Sequence, residues 1–570
     1  MEDQRCGENI LSEAYWDFLI PDYRADQNLF EGEEVCIQSG DFGCRVVSVK
    51  GEGKESLSFY DYGYYAVPKC YTPLDMDALY GAGISAVQTL PALQATGEGV
   101  MIGFVDTGID LAHPVFRGLD GRTRIAGIWD QTDREGSPPA GFFYGSSYTQ
   151  EEIDRLLEAA QKNPQEAGRL PGADVAGHGT YVASLAAGSP VPEERFAGAA
   201  PEASVAMVKL KPAKAYLKDF YGIPPQVVCY QENDILLGLA YLHHLAEERG
   251  MPLVICLALG TNFGGHNGSS LLARALDQYA YTEDRAVVIG AGNEAAGRHH
   301  FYHRFQKTQE TVVAEIRVGE GIQGFSAEVW VRLPDVATVS LVSPSGERTG
   351  PVSLRQGQRY EWLFSFDATR VTVEDRLLLE NNDSQMIFLR FLDPAPGVWK
   401  LEILSLQRAL GEVHVWLPVQ EFVEGEVFFL EADPNLTITE PGSAPAAMTV
   451  AYYNGADNGV DIHSGRGYTR NGTIKPDYAA PGVKLKGAAA GGGFVTRTGS
   501  SGGAAIAAGA SALLMEWLGE QPEARFRNSV LIRNTIVLGA AKRENMEYPN
   551  REWGYGTLNV YQSLDRMRQL

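Results

Sequence analysis

An alternation of apolar runs and helical segments constrains this chain more than any other feature. From about Gly83, nearly continuous apolar runs at Gly99–Val105, Ala203–Val208, Leu253–Leu257 and Ala286–Gly290 alternate with helical segments at Glu151–Lys162, Asp234–Arg249 and Leu271–Tyr279. A strand that is apolar at successive positions leaves no face for water, so these runs predict a parallel sheet covered by helices on both sides. The alternation stops near Arg298. From there to about Leu436 the chain reads as short period-two strands, including Thr311–Val318, Ala327–Leu333, Tyr360–Phe366, Met386–Phe391 and Trp399–Leu404, divided by turn signals such as Pro344-Ser-Gly and Pro394-Ala-Pro-Gly. That pattern predicts a β-sandwich, with Trp330, Trp362 and Trp416 filling its core rather than serving as an exposed carbohydrate platform. The α/β pattern then resumes and runs to the end.

The expected organisation is therefore an opening α+β segment over 1–80, an α/β domain over 81–297, an inserted all-β sandwich over 298–436 and the rest of the α/β domain over 437–570. The fold class is α/β: a doubly wound, mostly parallel sheet with helices on both faces. With 570 residues, 44% of them apolar, there is ample material for several packed cores, which excludes wholesale disorder. Lys and Arg total 48 against 72 Asp and Glu, a net charge of −24, which argues against a nucleic-acid partner and against docking on anionic membranes. The first residues lack a basic start followed by an apolar run, so no secretory leader is expected. The uncharged stretch Thr498–Met515 is rich in Ala and Gly and is expected to be a buried helix, not a membrane span. Six cysteines without CxxC spacing read as reduced thiols.

Three short motifs carry candidate chemistry. Asp106 ends an apolar strand in Val105-Asp-Thr-Gly108. His178 lies in Gly177-His-Gly-Thr180, ahead of an Ala-rich helix. Ser501 lies in Thr498-Gly-Ser-Ser-Gly-Gly503, at the start of the uncharged helix. Taken singly, each reads as structure: a turn-capping Asp, a satisfied His, an N-cap Ser. A serine at a helix N-terminus also sits where backbone N–H groups favour a developing negative charge. Asp110 reads as a turn residue, the Glu151–Glu152–Asp154 run as an acidic first turn, and His299, His300 and His303 as a solvated loop, not a metal site.

In this order the three motifs resemble the subtilisin-like serine proteases. Leu257-Ala-Leu-Gly260 is similar to that family's strand beside the specificity pocket, Gly290-Ala-Gly-Asn293-Glu to its oxyanion segment, and Lys475-Pro-Asp-Tyr-Ala-Ala-Pro-Gly482 to the stretch before its nucleophile loop. The resemblance implies a serine endopeptidase; no cofactor is expected, and no acidic loop has the EF-hand spacing of a calcium site. Ser501 would be nucleophile, His178 general base, Asp106 its orienting acid, Asn293 and the Ser501 N–H the oxyanion hole, and Leu257, Ala258, Leu259 and Gly260 the substrate-binding strand. The alternative is a catalytically silent binding or sensing protein on the same fold. The chain departs from the family pattern at Ser500, in place of Thr, at Ala505, in place of Pro, and at Tyr181, in place of a second His.

Within the family, Pro68-Lys-Cys70, Ile128-Trp-Asp-Gln-Thr132, Ser137-Pro-Pro139 and Phe143-Tyr-Gly145 resemble the Csp-type germination subtilases of anaerobic spore-formers. That resemblance implies a retained prodomain as partner, a jelly-roll-like insertion, limited cleavage of protein substrates and a cytoplasmic or spore-associated location. Self-cleavage would fall near Tyr71–Tyr80.

Overall fold

Each apolar run forms a strand whose alternate side chains enter two different cores. In Met101–Asp106, Ile102 and Phe104 face one core while Met101 and Val105 face the other. Leu253–Leu257 divides in the same way, with Val254 and Cys256 on one side and Leu253, Ile255 and Leu257 on the other. Burial on both faces is why these strands carry no polar alternation. The computed structural model describes residues 15–21, 35–39, 44–50, 81–89, 95–163, 170–213, 215–230, 232–352, 359–378, 383–521 and 526–569. The Pro68-Lys-Cys70 motif and the Tyr71–Tyr80 stretch lie outside them.

Two units divide the chain, Met1–Pro73 and Leu74–Leu570. In the first, Tyr15–Pro21 and Val35–Ser39 both pair antiparallel with Cys44–Lys50. The second is built on an eight-stranded sheet in the order Tyr478–Pro481, Met448–Tyr453, Arg285–Gly290, Leu253–Leu257, Met101–Asp106, Ser204–Lys209, Ile125–Asp130, Ser146–Thr149. All neighbours pair parallel except the last, where Ser146–Thr149 closes the edge antiparallel. Helices Glu232–Arg249 and Leu271–Tyr281 cover one face; helices His178–Ala187 and Ser500–Gly519 lie in the core on the other. Ser500–Gly519 is long and apolar enough to cross a membrane, yet 83% of its apolar window is buried in this core. Glu151 and Glu152 do start a helix, through a capping box with Thr149. Cys229 and Cys256 are buried free thiols.

The strands between His300 and Phe429 form two further sheets. A six-stranded sheet runs His300–Arg304, Glu412–Trp416, Gly324–Arg332, Ser384–Leu392, Thr369–Leu378, Arg359–Phe364; a four-stranded sheet runs Val336–Val342, Gly397–Gln407, Thr311–Val318, Val427–Phe429. Their facing residues, among them Val329, Phe391, Trp399 and Val415, make the sandwich core. The residues between them in the six-stranded sheet point the other way, onto the α/β body. There Trp416 stacks on His266 at 4.0 Å, Phe388 stacks on Phe220 at 5.2 Å, and Glu328 Oε2 accepts from the Gly264 N–H at 2.9 Å. This corrects the expectation for the tryptophans. Trp330 and Trp416 are buried, but in this seam, because strand alternation puts them opposite Val329, Val331 and Val415. Trp362 alone packs, partly buried, against the sandwich core.

Removing a buried indole leaves a cavity that costs about 3–5 kcal/mol. Trp416→Ala is therefore expected to destabilise the protein by about that amount, and Trp362→Ala by less than half of it, as read from chemical denaturation of the two variants beside the wild type.

Candidate active site

The carboxyl end of a parallel sheet is where open α/β folds gather ligand-facing loops, and the candidate residues meet there. Asp106 is the last residue of its strand and 1% exposed. Its Oδ1 accepts from the Thr107 N–H at 2.7 Å and lies 2.7 Å from His178 Nδ1. His178 opens its helix, and its Nε2 lies 3.0 Å from Ser501 Oγ. With Nδ1–H given to Asp106, Nε2 is left as the acceptor facing the Ser501 hydroxyl. The adjacent serine takes no part in this contact. Ser500 is buried, and its N–H donates to Asn293 Oδ1 at 3.0 Å. That bond fixes the Asn293 amide so that Nδ2 is the branch left to donate.

One residue that sequence reasoning passed over holds this arrangement together. Asp174, 7% exposed, accepts through Oδ1 from the Thr107 hydroxyl at 2.7 Å and the Gly177 N–H at 2.8 Å. Through Oδ2 it accepts from the Thr180 N–H at 2.8 Å and the Thr180 hydroxyl at 2.7 Å. Thr107 Oγ1 in turn accepts from the Gly179 N–H at 2.9 Å. The backbone on either side of His178 is thus pinned to the loop after Asp106. Gly179 is required there, since a Cβ would stand 2.2 Å from the Gly108 carbonyl oxygen. The available signal was a lone acidic residue in the small-residue loop just before the helix.

The charges acting on His178 oppose one another. Burial works to lower its pKa, but the charge and hydrogen bond of Asp106 outweigh it, with Asp174 adding to the rise and Arg497 working against it; the net position lies above the ordinary 6.5. Arg497 is held over the Tyr181 ring at 5.4 Å.

Beside Ser501 runs a cleft of about 460 Å³, with Ala258, Leu259 and Gly260 along one side and Gly290, Gly292 and Asn293 along the other. Thr439 stands between the two walls: a Cβ on Gly260 would meet its hydroxyl at 2.4 Å, and one on Gly292 at 2.6 Å, so glycine is needed on both sides. Leu257 does not line the cleft. It is fully buried in the sheet core, so the cleft-lining stretch begins at Ala258. Val419 and Glu421, on the segment returning from the sandwich, also line the cleft, a contribution no local motif announced.

The histidines after Arg298 require another correction. His299 and His300 are each 1% exposed, not solvated. His299 Nδ1 lies 2.6 Å from Glu294 Oε2, which also accepts from Asn262 Nδ2 at 2.9 Å. His300 stacks on Trp416 at 4.8 Å and faces His414 Nδ1 at 3.1 Å, and burial pushes its pKa down to about 4. His303, partly exposed, meets Glu310 at 3.2 Å. Among the described residues no group of three or more His, Cys, Asp or Glu is placed to hold a metal. Asp110 acts as a turn residue, accepting from the Ala112 N–H at 3.0 Å and the Gly491 N–H at 2.9 Å.

A doubly wound sheet carrying Asp, His and Ser in this order at its carboxyl edge defines a class of serine hydrolases. The Subtilase family model (Peptidase_S8) matches residues 97–316 and 422–556, more than half of the chain. The chain belongs to the subtilase family of serine peptidases. Among solved structures it is similar to the CspB protease of Clostridium perfringens, with 26% identity, a TM-score of 0.76, and coverage of 86% of this chain and 98% of that one. Among curated proteins, subtilisin-like protease SBT2.2 of Arabidopsis thaliana is 32% identical over 175 residues, and SBT2.3 is 31% identical over 174. Each match takes in 28% of this chain and 19% of the relative, so the chain spans about a fifth of the length of these curated relatives.

Asp174 accepts four donors, and hydrogen bonds to a charged group are worth about 1.5–3 kcal/mol each. Asp174→Ala is expected to cost at least about 3 kcal/mol in thermal unfolding and to broaden the His178 imidazole NMR signals as the loop loosens.

Proposed function

We propose that this protein is a serine endopeptidase that uses Asp106, His178 and Ser501 as a catalytic triad. The observation that carries the reading is the linked pair of contacts around one imidazole: Nδ1 at 2.7 Å from buried Asp106, and Nε2 at 3.0 Å from Ser501 Oγ. A serine hydroxyl becomes an effective nucleophile only when a base takes its proton as it attacks. Ser501 Oγ attacks the scissile carbonyl carbon and its proton passes to His178 Nε2, while Asp106 stabilises the imidazolium. The negative oxygen of the tetrahedral intermediate is received by Asn293 Nδ2 and the Ser501 N–H. The imidazolium then protonates the departing amine, and water, activated by the same imidazole, releases the acyl group.

Ala258–Gly260 offers an extended backbone edge for the substrate chain, with Thr439 limiting how deeply a side chain enters between the glycine walls. A narrow cleft with a wall from the sandwich return suits a limited set of protein substrates. Residues 1–80 are assigned as a prodomain that the enzyme cuts with its own active site; their position ahead of the catalytic fold supports this, as does the separate unit formed by Met1–Pro73. The sandwich over 298–436 is then an insertion between two parts of the catalytic domain, 81–297 and 437–570.

A fluorophosphonate probe and intact-mass analysis test this together. Wild type and Ser500→Ala are expected to label and to lose an N-terminal fragment, whereas folded Ser501→Ala does neither. A wild-type protein that stays unlabelled, or a Ser501→Ala protein that still processes itself, overturns the assignment and favours the silent binding protein.

The pH profile gives a second check. His178 must be neutral to accept the proton, and its pKa is raised, so kcat/KM is expected to climb with pH and reach half its plateau above pH 6.5. Arg497 lowers that pKa, so Arg497→Gln is expected to move the acid limb to still higher pH.

A further inference from the structure

The seam between sandwich and α/β body holds a cluster of positive charge that the proposed chemistry does not use. Arg332 ends its sandwich strand, Arg274 lies on the Leu271–Tyr281 helix, and Arg470 lies in the loop that precedes Lys475. With Asn267, Asp383 and Asn471 they line a pocket of about 300 Å³. An adjoining pocket of about 410 Å³ shares Arg332, Arg470 and Asn471 and adds Arg551, with Glu412 and Asp433 in its walls. In a chain of net charge −24, three arginines around a small pocket with one aspartate reverse the local sign.

Arg470 is built into the wall. Its Nε donates to the Gly265 carbonyl at 2.7 Å, its Nη2 donates to Ser384 Oγ at 2.8 Å, and its guanidinium lies 5.2 Å from the Trp330 ring centre. Burial, together with the facing charge of Arg332, pushes its pKa down to about 10. Arg332 and Arg274 are exposed at the pocket and form no ion pair among the described residues, Asp383 included. Guanidinium groups present planar forks that match the oxygens of carboxylate and phosphate. Like charges facing one another across a pocket are relieved by an anion between them.

We infer that this seam pocket binds a small oxyanion, a free phosphate or carboxylate species, between Arg332 of the sandwich and Arg274 and Arg470 of the body. The ligand ties two lobes together, so its binding stabilises the whole chain by mass action. The inference does not depend on the triad assignment, because a catalytically dead chain tests it equally well.

The experiment uses the full chain carrying Ser501→Ala. Its thermal midpoint and calorimetric heats are followed during titration with sodium phosphate, sodium succinate, or sodium chloride at matched ionic strength. A saturable rise with phosphate or succinate, absent with chloride, is expected. The Arg274→Gln/Arg332→Gln double variant, altered at two exposed positions, is expected to bind at least about tenfold more weakly. A response to phosphate alone identifies a phosphate group, a response to succinate alone a carboxylate, and a response to both the shared oxyanion chemistry. No saturable response to either anion, or a response that the double variant retains in full, overturns the inference.

Discussion

The Ser500–Gly519 helix lies directly against the sheet, and the distances at the proposed site depend on that approach. It is buried along most of its length and packs against the strands at Leu253–Leu257, Arg285–Gly290 and Met448–Tyr453, and against the helix that begins with His178. From Gly502 to Ala512 its buried positions are Ala, Gly and Ser apart from Ile506, so backbone can come close to backbone. Protein interiors transmit displacement because they are close-packed. Bulk added along this interface would push the helix outward and draw Ser501 Oγ away from His178 Nε2. The run of small residues, read in the sequence as a buried helix, is thus a spacing device.

Holding a carboxylate and an imidazole out of water is costly unless each polar atom is met. The fold meets that requirement with short-range donors instead of a surplus of charge. Asp106 takes a backbone N–H and the imidazole; Asp174 takes two backbone N–H groups and two hydroxyls. The two carboxylates bias His178 toward protonation, while Arg497 limits how far that bias goes. The imidazole pKa is thus set by burial against three side chains from separate segments of the chain, Asp106, Asp174 and Arg497.

Much of this was legible in the sequence because it is encoded locally. Strands buried on both faces reveal themselves as unbroken apolar runs, and the three motifs carry their glycines beside the functional residue. What stayed hidden was decided by distant partners. Period two shows that a sandwich strand has two faces, but not that the second face meets protein: Trp330 and Trp416 needed Arg470 and His266 to become seam residues. His299 and His300 looked exposed because His414 and Trp416, which help enclose His300, are more than 100 positions away. Asp174 was passed over because its partners, two backbone N–H groups and two threonine hydroxyls, form no motif of their own. Leu257 was grouped with its neighbours by motif, although the alternation within its own strand turns it into the core.

The same alternation gives the sandwich a structural part in the cleft. Its body-facing residues hold the loop that follows Gly260: Glu328 accepts from the Gly264 N–H, and Trp416 stacks on His266. His266 Nδ1 lies 2.9 Å from the Ile438 carbonyl oxygen, and Thr261 and Glu440 exchange backbone hydrogen bonds at 3.0 and 2.8 Å, so this loop is fastened to the segment bearing Thr439. One wall of the cleft and the Thr439 segment therefore rest on contacts that pass through the seam, and the sandwich return adds Val419 and Glu421 to the rim. Asn267, in the wall of the arginine pocket, belongs to the same loop. A sandwich that merely hung from the α/β body would leave that loop without support on one side. Here the seam and the candidate cleft are two faces of one continuous piece of backbone, so the stiffness of one sets the shape of the other.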